Sequence, residues 1–255
     1  MNLHINKEKF DTLMNSNIVG KFIIGSHLYN LNDEKSDKDI LVVYHAFKNQ
    51  LVNSFTNHHQ FQYKDLENNV DYNFVDSISF IRNLVSGDST INYELIWTDE
   101  MKNSEMSFLY DMRYKFRTYN IIKSYLGFAD RDCRLMFKRK DDRDKIKGLH
   151  HIYRGLYFAK SIYNNEFKLI DNDLISICKN TKLDDLKNLG NIRTEIKEFR
   201  DYINKSFENK NIVRFLSVED QIKIEENLND IFKFSDGYID LSDMYDANEN
   251  VELTY

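Results

Sequence analysis

The first hundred residues alternate between short apolar runs and polar gaps. Residues 4–15 place Ile5, Phe10, Leu13 and Met14 at the spacing of a short amphipathic helix. Val19–Ile24 and Ile40–Ala46 are continuous apolar runs rich in β-branched residues, and they predict two adjacent strands. Residues 25–38 between them hold Asn, Asp and Ser and predict a loop. Phe61–Tyr63 and Asn69–Phe74 predict two further strands, the second alternating Val70, Tyr72 and Phe74. Asp76-Ser77 then offers an N-cap for a helix from Ile78 to Val85, which Gly87 ends. Ile91–Trp97 predicts a second short helix.

From about residue 101 the apolar period becomes helical. Segments 104–126, 130–140, 144–164, 171–180, 191–208 and 218–234 carry it, with breaks expected near Gly127, Asp141-Asp142, Asn164-Asn165, Gly190 and Asn209. No repeat of fixed period interrupts the series. The expected class is α+β: a small mixed β-sheet with flanking helices over residues 1–100, then an all-helical part over 101–255. No Pro- or Gly-rich linker separates the parts, which predicts one rigid body with a cleft between them. The acidic tail 235–255, with Tyr238, Tyr245 and Tyr255, is expected either to pack as an arm or to be loose.

A chain of 255 residues with 42% hydrophobic content is neither disordered nor fibrous. Its apolar runs fall short of the roughly 18–20 residues of a membrane span. The start, MNLHINKEKFDTLMN, lacks the continuous apolar stretch of a signal peptide. With only Cys133 and Cys178, far apart and in no metal-ligand spacing, these features predict a cytoplasmic protein with reduced thiols. The absence of Pro, with abundant Asn, Lys, Asp and Ile, fits an AT-rich coding genome such as that of a phage. The net charge of −6 hides an asymmetry, because residues 113–160 hold 14 Lys and Arg against 5 Asp. A basic middle suits a polyanionic partner; the alternative is a solvated helical face.

The candidate chemistry lies in the loop between the first two strands. Gly25-Ser26 follows Phe22-Ile23-Ile24, and Asp37-Lys38-Asp39 leads into the next strand. Two carboxylates two residues apart on a strand share one face. Mg²⁺ takes one or two carboxylates plus substrate phosphate oxygens. A glycine lets backbone N–H groups approach phosphate, and the serine hydroxyl adds a donor. Asp71 is an unusual acid among β-branched and aromatic strand residues, which makes it the candidate third carboxylate. Asp76 competes but sits where a cap belongs, and Asp65 and Glu67 fall in a hairpin. Lys147, His150 and Arg154, with Lys145 nearby, share one face of a helix, as a phosphate grip or as a stripe facing water. Arg139 and Lys140 pose the same choice, and Tyr153, Tyr157 and Phe158 stand between base stacking and core packing, with helical spacing favouring the core.

Gly25-Ser26-x-x-Tyr29, followed by Ser36-Asp37-x-Asp39-x-x-x-Val43, resembles the signature of the nucleotidyltransferase superfamily that includes DNA polymerase β. It looks most like the RNA-repair-associated branch carried by bacteria and phages. The resemblance covers residues 18–98 well and the helical remainder loosely. It implies that Asp37, Asp39 and Asp71 hold Mg²⁺ or Mn²⁺ and carry catalysis, while Gly25 and Ser26 bind the phosphates of a nucleoside triphosphate (NTP). Lys147 and Arg154 would add to that nucleotide site. Tyr29 would prop the loop and Ser36 cap its turn; Glu94 resembles a recurrent glutamate with a structural role, and His27 departs from the pattern and is assigned nothing. The implied reaction moves a nucleoside monophosphate from the NTP to a hydroxyl acceptor and releases pyrophosphate. The basic middle points to RNA or tRNA, with protein nucleotidylation and small-molecule acceptors left open. The alternative is a catalytically silent nucleotide- or nucleic-acid-binding regulatory module of counter-defence, against which three clustered acids argue because clustering is costly. Oligomeric state is left open, and no membrane partner is expected.

Overall fold

The computed structural model describes residues 3–15, 18–34, 36–45, 60–208 and 212–233; Ala46 and the tail 235–255 lie outside the described residues. Five strands, β1 (Leu3–His4), β2 (Ile18–Ile24), β3 (Lys38–Tyr44), β4 (Gln60–Asp65) and β5 (Val70–Asp76), form one sheet in the order β1-β4-β5-β3-β2. β3 runs parallel to β5 and β1 to β4, while β2–β3 and β4–β5 are antiparallel, so the sheet is mixed.

The strand β3 is buried on both faces, which is why its sequence reads as a continuous apolar run. Val42 and Tyr44 join Phe61 and Phe74 under helix α1 (Lys7–Met14), whose Phe10 and Leu13 cover that face. Leu41 and Val43 point the other way, into a larger cluster that continues from Val19 to Ile224. Asp37 and Asp39 share the parity of Leu41 and Val43, so the acids belong to the face that the other helices cover.

Those helices are α2 (Ser77–Ser86), α3 (Thr90–Leu95), α4 (Asp99–Lys102), α5 (Ser107–Asp111), α6 (Tyr119–Leu135), α7 (Asp142–Tyr163), α8 (Asn172–Asn180), α9 (Leu189–Glu208) and α10 (Val218–Lys233). Asp76 caps α2 as its sequence predicts, and Gly87 ends it at φ 73°. The expected helix over 104–126 is instead divided into α5, a 3₁₀ turn at Arg113–Phe116 and the start of α6. Thr118, whose side chain accepts from the Ile121 N–H, is the N-cap that makes the division. Gly127 does not break the chain but lies inside α6. A Cβ there would meet nothing within 4 Å, so the position is open to water. An exposed helical glycine costs only about 1 kcal/mol relative to alanine. Buried Ile121, Ile122, Tyr125, Leu126, Ala129 and Cys133 outweigh that. Segment 130–140 is therefore the end of α6 plus a 3₁₀ turn at Met136–Lys138, and Gly190 falls in the first turn of α9. No described helix is long and apolar enough to cross a membrane.

Candidate active site

The parallel register of β3 and β5 sets Asp39 beside Asp71, and Asp37 precedes Asp39 by one strand repeat. One carboxylate oxygen from each of the three lies within 4.8 Å of the others, and all three residues are half-buried. Lys64 Nζ donates to Asp71 Oδ2 at 3.2 Å, while Asp71 Oδ1 is buried without a hydrogen-bond partner among the described residues. Burial and then the charge of Asp37 push the Asp39 carboxyl above its ordinary value; Lys147 opposes this, Asp71 adds to it, and His27 opposes it. The cluster is therefore a concentration of negative charge that the protein neutralises only in part.

β2 ends at Ile24, paired with Asp39, and the chain turns back through a 3₁₀ turn, Gly25–Tyr29. Gly25 has φ 69°, a conformation that disfavours side chains, and a Cβ there would collide with Asp39 Oδ2. Glycine is thus favoured by the backbone, and any side chain there would also displace the acid beside it. The far end of the turn is anchored below: Tyr29 Oη donates to Glu94 Oε2, and Tyr125 Oη donates to Glu94 Oε1 at 2.9 Å. Glu94 is 1% exposed. Its burial raises its carboxyl, against the Arg154 charge and the two tyrosine hydrogen bonds. The Arg154 guanidinium lies over the Tyr29 ring at 4.1 Å. Ser36 Oγ accepts from the Asp33 N–H and donates to Asp33 Oδ1, closing the loop that leads to Asp37.

A cavity of about 410 Å³ lies between this turn and α7. Gly25, Ser26, Asp37 and Asp39 line one side, and Lys147, His150 and Arg154 line the other. Burial lowers the His150 imidazole, whose Nε2 is buried without a hydrogen-bond partner among the described residues, as is Arg154 Nε. Arg143 Nη2 reaches Asp33 Oδ1 at 3.0 Å, tying α7 to the loop. Phe128, Arg143, Ile146 and His151 also line this space and were not anticipated. The helical spacing Arg143, Lys147, His151 was the signal available for one of these faces.

Other candidates lie elsewhere. Asp76 accepts from the Ser79 N–H at 2.8 Å as a helix cap, and it pairs with Tyr44 rather than with the acids. Asp65 binds Asn68 in the β4–β5 hairpin, where Glu67 is exposed. Lys145 pairs with Asp142, Arg139 lies near buried Asp132, and Tyr157 donates to Asp171. Phe158 is core, and Tyr153 packs against the core. The basic excess of residues 113–160 is partly consumed, since Arg131, Arg134 and Lys160 also pair with acids. Lys123, Lys138 and Lys140 are exposed and have no carboxylate partner among the described residues. Cys133 and Cys178 are free and buried, and burial pushes both thiols up to about 11.

No family model matches the chain, and no curated protein does. Among solved structures it is similar to a nucleotidyltransferase-like protein from Exiguobacterium sibiricum 255-15, at 12% identity over 76% of this chain and 72% of that one. The TM-score is 0.27, too loose a superposition to carry an argument.

Proposed function

We propose that this protein is a divalent-metal-dependent nucleotidyltransferase that moves a nucleoside monophosphate from an NTP to a hydroxyl acceptor, with release of pyrophosphate. The observation that carries the reading is the convergence of Asp37, Asp39 and Asp71 beside the Gly25 turn. Oxygens bound to one Mg²⁺ lie no more than about 4.2 Å apart, so the three carboxylates, within 4.8 Å of one another, need only side-chain rotations to close on one ion. The unpartnered Asp71 Oδ1 and the raised Asp39 carboxyl are both features that a cation would relieve. Mg²⁺ or Mn²⁺ held there supplies charge neutralisation and acidifies a bound hydroxyl.

The chain's own residues do the rest. The N–H groups of the Gly25 turn and the Ser26 hydroxyl offer donors to phosphate oxygens, and Lys147 supplies the facing positive charge. Arg154, with its unpartnered Nε, adds a donor to the same wall. Tyr29 and Glu94 hold the turn in place, so its donors are oriented before substrate arrives. An RNA or tRNA acceptor is the finer reading. It is supported by exposed Lys138 and Lys140 beside Phe137, an aromatic ring 87% exposed and free to stack on a base. The test is incubation with labelled NTPs, Mg²⁺ or Mn²⁺, and a panel of RNAs, proteins and small hydroxyl compounds. Label is expected on RNA, less of it with Phe137→Ala, and none with Asp37→Ala combined with Asp39→Ala. Undiminished transfer by that double variant would sink the reading.

A further inference from the structure

Asp132 is a carboxylate only 3% exposed on α6, and neither the acid cluster nor the Gly25 turn uses it. Its own burial opposes ionisation, but the hydrogen bond and charge of His151, with Arg131 and Arg139, hold it below its ordinary value. It is therefore acceptor-only, and His151 Nδ1, 3.0 Å from its Oδ2, must carry the proton. Burial lowers the His151 imidazole; the Asp132 hydrogen bond opposes this, while the Arg154 and Arg139 charges add to it. The ring is thus neutral near pH 7, with a bare lone pair on Nε2. That nitrogen carries no protein hydrogen bond among the described residues. His151 and Phe128 both line the cavity, their rings 5.6 Å apart and inclined by 35°.

We propose that this end of the cavity is the nucleobase subsite, and that His151, positioned by Asp132, selects a base with an exocyclic amine on its pairing edge. The inference rests on the nucleotidyltransferase reading and deepens it. A lone pair repels phosphate oxygens, and the Arg154 charge is already opposed by Glu94. The triphosphate accordingly finds its best donors at Gly25, Ser26 and Lys147. Phe128 and Ile91 then offer a planar base its apolar contact. Adenine and cytosine bring an N–H to Nε2. Hypoxanthine and uracil bring a carbonyl oxygen to the same place, lone pair against lone pair.

The experiment is calorimetry on the full chain with Mg²⁺ and non-hydrolysable analogues of ATP, inosine triphosphate, CTP and UTP. ATP is expected to bind about tenfold tighter than inosine triphosphate, and CTP about tenfold tighter than UTP, the scale of leaving one buried acceptor unsatisfied. Asp132→Asn can donate to Nδ1, which moves the proton to Nε2, so both ratios fall to about one or invert. His151→Gln, which can donate or accept, is expected to erase them even if Asp132→Asn folds poorly. Equal binding within each pair by the wild type overturns the subsite and leaves the nucleotidyltransferase reading standing. Ratios unchanged in both variants overturn the role of His151. Binding of none of the analogues overturns both readings.

Discussion

Glu94 and the cluster of Asp37, Asp39 and Asp71 stand on either side of the Gly25 turn, and the fold treats them in opposite ways. Both groups are removed from water enough to raise a carboxyl, Glu94 by burial alone and Asp39 by burial and its acidic neighbours. Glu94 has both oxygens satisfied by tyrosine hydroxyls and the Arg154 charge close by. The aspartates have Lys64 on Asp71 and Lys147 near Asp39, with Asp71 Oδ1 left bare. A buried acid that is fully satisfied sets geometry. One left unsatisfied is held ready for something the chain does not itself contain.

The largest effect should fall on activity. Replacing Asp37 and Asp39 together by alanine should lower nucleotidyl transfer by about 10³-fold or more, the scale of losing a main electrostatic element of a site. Folding should survive, because the variant removes repulsion rather than packing. A double variant that neither folds nor binds nucleotide would erase the contrast with Glu94.

Next in size is Glu94→Ala, expected to destabilise by about 2–5 kcal/mol, because it leaves the buried hydroxyls of Tyr29 and Tyr125 without their acceptor and removes the charge that opposes Arg154. Urea unfolding measures it. Glu94→Gln should cost less, since it keeps the shape and one acceptor. A loss under about 1 kcal/mol for alanine would mean that Arg154 finds water on the cavity side, and Glu94 would no longer count as the turn's anchor.

Asp39→Asn should act in the other direction. A carboxyl whose folded pKa lies above its unfolded value of 3.8 is neutral in both states at lower pH and contributes nothing there. As pH rises from that value through the raised folded pKa, the unfolded chain ionises more readily, and the native state loses stability. Above that raised pKa the loss is complete, so Asp39→Asn should there be more stable than the wild type by on the order of 0.5–2 kcal/mol, the usual size of a single stabilising substitution. The gain should vanish below about pH 4 in a thermal-melt series. Added Mg²⁺ should raise the wild-type midpoint more than the variant's. Equal melting of the two proteins across that series would show that the cluster is not in conflict.

Much of this was legible in the sequence. The strands flanking Gly25-Ser26 follow from their continuous β-branched apolar runs, while the shared parity of Asp37 and Asp39 and the place of Asp71 in an alternating strand follow from period-two patterning. The cap at Asp76 was legible from its chemistry. Gly127 misled because composition reports a helix-breaking residue but not the buried face that overrides it. The Asp132–His151 pair was invisible because its members lie on different helices, and only the packing of α6 on α7 brings them together. The basic excess was countable, but its partition into internal pairs and free lysines depends on tertiary contacts.

The smallest expected effect concerns Arg143 and Asp33, an acid and a cation 3.0 Å apart across the loop and α7. Its length is close to the 2.9 Å between Tyr125 and Glu94. Its side chains are 58% and 61% exposed, however, so water solvates both charges whether or not they meet. Exposed pairs contribute about 0–1 kcal/mol, and salt weakens them further. Arg143→Ala should therefore shift urea unfolding by less than about 0.5 kcal/mol at physiological salt. A loss of 2 kcal/mol would place this pair with Glu94 and refute exposure as the dividing variable. Since the Arg143–Asp33 and Tyr125–Glu94 contacts differ little in length, a small loss would leave desolvation as what separates a carboxylate that holds the fold from one that only decorates its rim.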